Sequence, residues 1–290
     1  MIKKNITISI VVPVYNEEDC LDELLNRLIK TLKKIGNYKI ILSIDPSTNN
    51  TEKIAAKWAK KNKLIKLIVM SRKFGQPAAV IAGLSKASGE YIGVIDADLQ
   101  DPPEILYEMY HKILRGYDVI SGKRKSRKGE TFFKRISTKY GYIIINKTSD
   151  VKIPRDVGDF RLMSKKVVSY LNNMTERHGF LRGMVSYVGF KQDIYLYDRD
   201  ERFSGKGHYN RYLGSLKIAL NGLVGYSNFL LNIIAIVGII TLIISLTLII
   251  IIFLAKIFGF DFPLGFPTIV ILILLFGAFQ LLALSAIGQY

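Results

Sequence analysis

The stretch Tyr91-Ile92-Gly93-Val94-Ile95-Asp96-Ala97-Asp98-Leu99-Gln100-Asp101-Pro102-Pro103-Glu104 runs from an apolar segment straight into carboxylates and then into a proline pair. Tyr91 to Ile95 has the length and β-branched content of a buried strand, so Asp96 and Asp98 emerge together at its exit. Two carboxylates in one loop suit a hard divalent cation, Mg²⁺ or Mn²⁺, that takes its remaining ligands from phosphate oxygens, and a nucleotide diphosphate meets that demand. Gln100 adds a neutral oxygen to Asp96 and Asp98 as a candidate metal ligand. Asp101, just before Pro102 and Pro103, is expected to cap the following helix.

Upstream, the same alternation repeats. Ile6 to Val14 is a short β-branched run ending in Pro13-Val14-Tyr15-Asn16-Glu17-Glu18, and Leu21, Leu24, Leu25, Leu28, Ile29 and Leu32 follow at helical spacing. Lys39 to Ile44 and Leu64 to Met70 read as strands, and Glu52 to Lys61 and Ala78 to Ala87 as helices. Strands alternating with helices imply a mainly parallel, Rossmann-like α/β sheet with crossover helices. Ligands bind such sheets at the carboxyl ends of the strands, so the loops starting at Tyr15, Asp45, Ser71 and Asp96 are expected to share one rim.

Downstream, Phe132 to Asn146 and Tyr209 to Val224 mix basic with large apolar residues and are expected to be interfacial amphipathic helices. From Ser227 to Ala255 and again from Phe262 to Tyr290 no residue is charged, and each stretch exceeds the roughly 20 apolar residues that span a bilayer. The organisation expected is a domain over residues 1–208, including the interfacial helix at about 132–146. A juxtamembrane amphipathic helix over 209–226 follows, then a transmembrane hairpin over 227–290 with spans near 227–255 and 267–290.

The formal charge is +17, and of the charged residues only Lys256 and Asp261 lie beyond residue 220. Arg199, Arg202, Lys206, Arg211 and Lys217 crowd the approach to the first span, which places the α/β domain on the cytoplasmic side of a plasma membrane and against anionic headgroups. The chain carries no helix-turn-helix, zinc-finger or RNP-like pattern, so no nucleic-acid partner is expected. The lone Cys20 excludes an intrachain disulfide, and His111, His178 and His208 are too few and scattered for a triad or a histidine metal site. The run Ile6 to Val14 is too short and too soon broken by Pro13 for a secretory leader.

Several motifs together resemble family 2 glycosyltransferases of the GT-A fold, in the polyprenyl-phosphate branch that includes dolichol-phosphate mannose synthase and bactoprenol glucosyltransferases. They are Val11 to Glu18, Ser71-Arg72-Lys73-Phe74-Gly75-Gln76, Ile95 to Glu104, Val157-Gly158-Asp159-Phe160-Arg161-Leu162-Met163-Ser164, Arg202-Phe203-Ser204-Gly205 and the paired apolar spans. The resemblance implies a metal-dependent, inverting transfer of a hexose-type sugar from a nucleotide diphosphate sugar, a UDP-sugar foremost, to a polyprenyl phosphate such as undecaprenyl phosphate. It implies that Pro13, Tyr15, Glu17 and Asp45 line the nucleotide pocket, that Asp96, Asp98 and Gln100 hold the metal, and that Arg124, Arg135 and Arg202 bind acceptor phosphate. Asp159 would bind sugar hydroxyls or orient the acceptor, because a phosphate acceptor is already ionised and needs no strong base.

Two departures stand out. Where the family pattern has Asp-Asp-Gly-Ser-Thr-Asp, this chain has Ile44-Asp45-Pro46-Ser47-Thr48-Asn49, and Gly207-His208-Tyr209 stands for Ser-Lys-Tyr. A processive polysaccharide synthase is disfavoured, since the only tryptophan, Trp58, lies outside any Gln-x-x-Arg-Trp motif and two spans are few for a polymer channel. A catalytically silent membrane adaptor that keeps the nucleotide-binding fold is the alternative from outside the enzyme class; the partners expected of the transferase include a second copy in a homo-oligomer.

Overall fold

The computed structural model describes residues 6–125, 157–174, 181–200 and 228–290. The two expected interfacial helices, together with Arg135, Arg202, His178 and His208, lie outside these residues. The chain divides into two compact units, residues 1–143 with 151–221 and residues 144–150 with 222–290.

The first unit is built on one seven-stranded sheet in the order β3-β2-β1-β4-β6-β5-β7. Its first half alternates β1 (Ile8–Val14), α1 (Glu18–Ile35), β2 (Tyr38–Ile44), α2 (Thr51–Lys61), β3 (Ile65–Val69), α3 (Gln76–Ser85) and β4 (Tyr91–Val94). β1 is buried at every position and β2 at all but one, as expected where helices cover both faces of a parallel sheet. α1 lays Leu21, Leu24, Leu25, Leu28 and Leu32 on this sheet, each fully buried and each contributing roughly 1.5–3 kcal/mol. α3 packs closer still: a Cβ on Gly83 would meet Val11 Cγ1 at 2.2 Å and Ser43 Oγ at 2.9 Å.

β1 pairs in parallel with both β2 and β4, so the chain leaves β1 in one direction and returns on its other side. The β1–β4 ladder ends at Val11↔Val94, whereas β1–β2 continues through Pro13↔Ser43 to Val14↔Ile44. Pro13 therefore sits where β4 no longer flanks β1, and its missing N–H costs no bond on that side. The gap that opens there is the switch point of the sheet, where open α/β sheets place their ligands.

The second half departs from the expected alternation. After α4 (Ile105–Ile113) and β5 (Val119–Arg124), the strand β6 (Val157–Ser164) inserts antiparallel between β4 and β5, and β7 (Gln192–Tyr197) closes the edge parallel to β5. The sheet is thus mixed, with four parallel pairings and two antiparallel ones. Two short helices, α5 (Lys165–Asn173) and α6 (Leu181–Tyr187), follow β6, and the Ser164 hydroxyl caps α5 by accepting from the Val167 N–H.

The described part of the second unit is a helical hairpin, α7 (Phe229–Ile257) and α8 (Phe266–Gln289), both long and apolar enough to cross a membrane. The two helices are antiparallel. Ser285 Oγ donates to the Leu231 carbonyl, Gln289 Nε2 donates to Asn232 Oδ1, and Gly238 abuts Leu282. The remaining surface is apolar, with Ile243, Ile250, Phe253, Ile273 and Phe276 all exposed.

Candidate active site

The four rim loops do come together, through hydrogen bonds that tie each to the next. Asn16, in left-handed backbone at φ 53°, uses its amide in both directions: Nδ2 donates to Thr48 Oγ1 and Oδ1 accepts from the Thr48 N–H. The Glu17 N–H donates to Thr51 Oγ1, and Glu18 Oε2 accepts from the Asn50 N–H. Asp45 is buried, and its two oxygens accept from the N–H groups of Phe74 and Gly75 at 3.2 and 2.7 Å. Gly75 has φ 93°, a conformation open to glycine that turns its N–H toward Asp45. The next residue, Gln76, donates Nε2 to Asp96 Oδ1 at 2.7 Å.

The departures in the second loop have local explanations. Ile44 is fully buried in the apolar core, so the position is one of packing. Asn49 Oδ1 accepts from both the N–H and the hydroxyl of Thr51 at the start of α2, which a neutral amide oxygen does as well as a carboxylate. Among the residues expected at a nucleotide pocket, Pro13 is buried at the end of β1, and Tyr15 carries Lys73 Nζ over its ring at 3.7 Å.

Across the switch point lies a cluster of charge. Asp96 and Asp98 leave β4 on a loop in which buried Leu99 holds φ 57°, a strained setting for a large side chain. The Gln100 N–H donates to Asp98 Oδ1, and the Gln100 carbonyl accepts from the Asp200 N–H, so this loop is pinned to the chain after β7. Asp101 does not cap α4, contrary to expectation. It is buried and accepts from the Tyr197 hydroxyl at 2.5 Å, while α4 begins from backbone turns at Pro102 and Pro103 with no side-chain cap. The reason is tertiary: β7 delivers a buried phenol that needs an acceptor, and burial with the Asp101 charge beside it pushes the Tyr197 pKa strongly upward.

Asp159 comes in from β6. Its Oδ1 accepts from Arg182 Nε at 3.1 Å, and Arg161 Nη2 lies 3.8 Å away. Arg161 is almost fully buried, is held by the carbonyls of Asp159 and Gly158, and is pushed down to about 10 by that burial. Burial alone would raise the Asp159 carboxyl, but Arg182, Arg161 and Arg124 outweigh it and hold the group below its ordinary value. Asp96 goes the other way, to about 8, through burial and then the charges of Asp101, Asp159 and Asp98, only partly offset by Arg199. Asp96, Asp98, Asp159 and Arg124, far apart in sequence, thus belong to one electrostatic neighbourhood.

Such crowding is the signature of a site with negative charge to spare. Among the described residues no group of three or more His, Cys, Asp or Glu side chains is set to enclose a metal ion. Asp96, Asp98 and the Gln100 amide would supply only part of an octahedral shell, and Mg²⁺-like ions commonly bind in that way, completing the shell with phosphate oxygens and water. The donor set fits a divalent cation that arrives with a diphosphate.

Several participants were given no role in the sequence reading, though Gln76 and Arg161 stood inside quoted motifs. Gln76, Tyr197, Arg182 and Arg161 enter through contacts between residues 20 to 96 positions apart, or from inside a strand. Arg199 had been read as juxtamembrane charge.

The chain belongs to glycosyl transferase family 2, whose model matches residues 9–171. It is 38% identical over 288 residues to the uncharacterized glycosyltransferase YkcC of Bacillus subtilis strain 168, covering 99% of this chain and 89% of that protein. A prophage bactoprenol glucosyl transferase homolog of Escherichia coli K12 is 33% identical over 285 residues, 98% of this chain and 92% of its own length. The fold is that of GT-A glycosyltransferases. Glucosyl-3-phosphoglycerate synthase from Mycobacterium tuberculosis, solved with Mn²⁺, UDP-glucose and phosphoglyceric acid, matches at a TM-score of 0.56 and 16% identity, over 75% of this chain and 77% of that one.

Proposed function

We propose that this transferase moves a hexose-type sugar from a nucleotide diphosphate sugar, with UDP-sugars favoured, to a polyprenyl phosphate, inverting the configuration at C1. The observation that carries the reading is the strand order β4-β6-β5 with Val94 opposite Arg161, which sets the Asp96–Asp98 loop beside Asp159 on β6 and Arg124 at the end of β5. Full-length similarity to a protein named for bactoprenol glucosyl transfer supports the acceptor class. The apolar hairpin would hold the enzyme in the bilayer where such an acceptor resides, with the α/β domain on the cytoplasmic side of a bacterial plasma membrane.

Pro13, Tyr15, Glu17 and Asp45 would face the nucleotide, with the loop ties described above keeping that wall rigid before the donor arrives. Asp96, Asp98 and Gln100 would hold a Mg²⁺ or Mn²⁺ ion, whose part is to neutralise charge on the departing diphosphate. Gln76 keeps Asp96 oriented. Arg124, with Arg135 and Arg202, would hold the acceptor phosphate with an anionic oxygen aimed at C1. Asp159, kept ionised by its arginines, is a weak proton acceptor and a strong hydrogen-bond acceptor, suited to sugar hydroxyls. Positioning and charge complementarity then supply the rate.

The test is transfer of radiolabelled sugar from a panel of UDP- and GDP-sugars into organic-extractable lipid, using full-length protein with undecaprenyl phosphate and Mn²⁺ or Mg²⁺. Lipid-linked product is expected that disappears with chelator and falls by about a hundredfold or more in Asp98→Ala. No product across the panel from folded protein would overturn the reading and favour a silent adaptor.

A further inference from the structure

Three of the arginines described in the first unit spend their guanidinium on structure. Arg27 binds Glu104 through two nitrogens at 2.9 and 2.7 Å, Arg161 donates to two carbonyls, and Arg182 donates to Asp159. Arg124 and Arg199 differ in a specific way. Each buries an Nε–H that has no hydrogen-bond partner, and among the described residues these are the only arginine nitrogens so placed. They are also neighbours in register. Arg124 ends β5 opposite Tyr197 of β7, the Lys125 N–H donates to the Tyr197 carbonyl, and Arg199 follows two residues on. A buried donor left unpaired costs on the order of 1–3 kcal/mol, so its presence twice at one place asks for a ligand.

The surroundings of Arg199 identify the ligand's chemistry. Its Nη2 is 3.9 Å from Asp98 Oδ2 and its Nε is 3.4 Å from Asp101 Oδ1, ion pairs too long or misdirected to be hydrogen bonds. Both carboxylates are already engaged, Asp101 by the Tyr197 hydroxyl and Asp98 by the Gln100 N–H. The guanidinium is therefore held by charge, and among the described residues no acceptor takes a hydrogen bond from its fork. What matches it is a group with several anionic oxygens in a fixed array, a phosphate.

We propose, building on the transferase reading above, that Arg199 is a second phosphate-binding residue beside Arg124, and that its ion pairs with Asp98 and Asp101 are those of the ligand-free protein. In that state Arg199 supplies positive charge to the carboxylate pair. When a phosphate enters, the fork turns to it and Asp98 is left to other partners. The phosphate belongs either to the donor diphosphate, which lies toward Asp98, or to the acceptor lipid, which lies toward Arg124.

The proposal makes predictions of opposite sign for two ligands. In full-length Arg199→Met, binding of UDP with Mn²⁺, or of undecaprenyl phosphate in micelles, weakens by about tenfold or more, the loss of one charge-assisted contact. Binding of Mn²⁺ alone tightens by about threefold, because a competing positive charge has left Asp98 and Asp101. Arg199→Lys keeps the charge without the fork, so it restores wild-type Mn²⁺ binding while the phosphate defect persists in part. Calorimetry reads all three probes, and thermal unfolding confirms that each variant is folded; should Arg199→Met not fold, Arg199→Lys carries the test. A defect confined to UDP assigns Arg199 to the donor, and one confined to the lipid phosphate assigns it to the acceptor. Unchanged affinity for both overturns the proposal, as does parallel weakening of Mn²⁺ and UDP, which would mark Arg199 as a structural support of the loop. Wild-type protein that neither binds UDP nor transfers sugar sinks the transferase reading itself. Wild-type transfer alongside normal binding by Arg199→Met sinks only the assignment of Arg199.

Discussion

The two halves of the sheet are made of different material. In β3-β2-β1-β4 the buried strand positions are apolar apart from the small hydroxyls of Ser9 and Ser43, and the buried carboxylate Asp45 sits in a loop, where the backbone N–H groups of Phe74 and Gly75 donate to it. In β6-β5-β7 charge enters the strands themselves, with Arg161 nearly fully buried, Asp159 beside it, Arg124 ending β5 and Tyr197 reaching Asp101. The parallel half builds a rigid wall, and the mixed half supplies an electrostatic field. A wall can be specified by close packing, whereas a field requires charges brought together and kept partly out of water, each stabilised by its neighbours.

That contrast is open to direct attack. Arg161→Met should cost roughly 2–4 kcal/mol, since it leaves two carbonyls without their donor and takes one of three cations from Asp159. Equilibrium unfolding of the detergent-solubilised protein would measure it, and a loss under 1 kcal/mol would mean that the mixed half is held by packing after all. In the parallel half, Gly83→Ala should cost roughly 1–3 kcal/mol by overpacking against Val11 and Ser43, with no change in pH dependence.

The pH dependence itself sharpens the distinction. Asp159 is held below its ordinary pKa, so its pairing stabilises the fold fully above an unfolded value of about 3.9, and that stability is lost as pH falls through the lower folded value. Arg182→Met raises the folded pKa toward the unfolded one, so stability at neutral pH drops and its acid dependence flattens. Thermal midpoints followed from pH 7 down to 3 read both effects, and an unchanged acid limb would remove Asp159 as the titrating group. The smallest change is expected at the departed loop. Asn49→Ala should cost about 1 kcal/mol through loss of the turn bonds from Thr51 at the start of α2, while Asn49→Asp should be neutral or slightly stabilising at the helix N-terminus.

Legibility followed the same division. Strand after strand of the parallel half could be read in the chain, because a strand covered on both faces must be a short apolar run and a crossover helix must repeat its leucines at 3.6-residue spacing. The position of the Asp-x-Asp loop was legible for a related reason, since an apolar strand that ends abruptly in charged residues marks its own exit. β6 was quoted as a motif without being recognised as an antiparallel insertion, because Val157 to Ser164 mixes Asp159 and Arg161 into a strand and spoils its period. The assignment of Asp101 as a cap failed where local chemistry and a distant partner competed, and Tyr197 won.

What the sequence determined by itself is therefore whatever repeats along one element or closes within a few residues: the α/β alternation, the carboxylate pair, the two apolar spans. What only the tertiary structure decided is which charges meet. Gln76 on Asp96, Arg182 on Asp159, and Arg199 between Asp98 and Asp101 each join residues brought together by the sheet order, and no periodicity along the chain encodes a contact of that kind. The physical reason is that electrostatic interaction depends on distance and burial in space, and both are set only once the strands have paired.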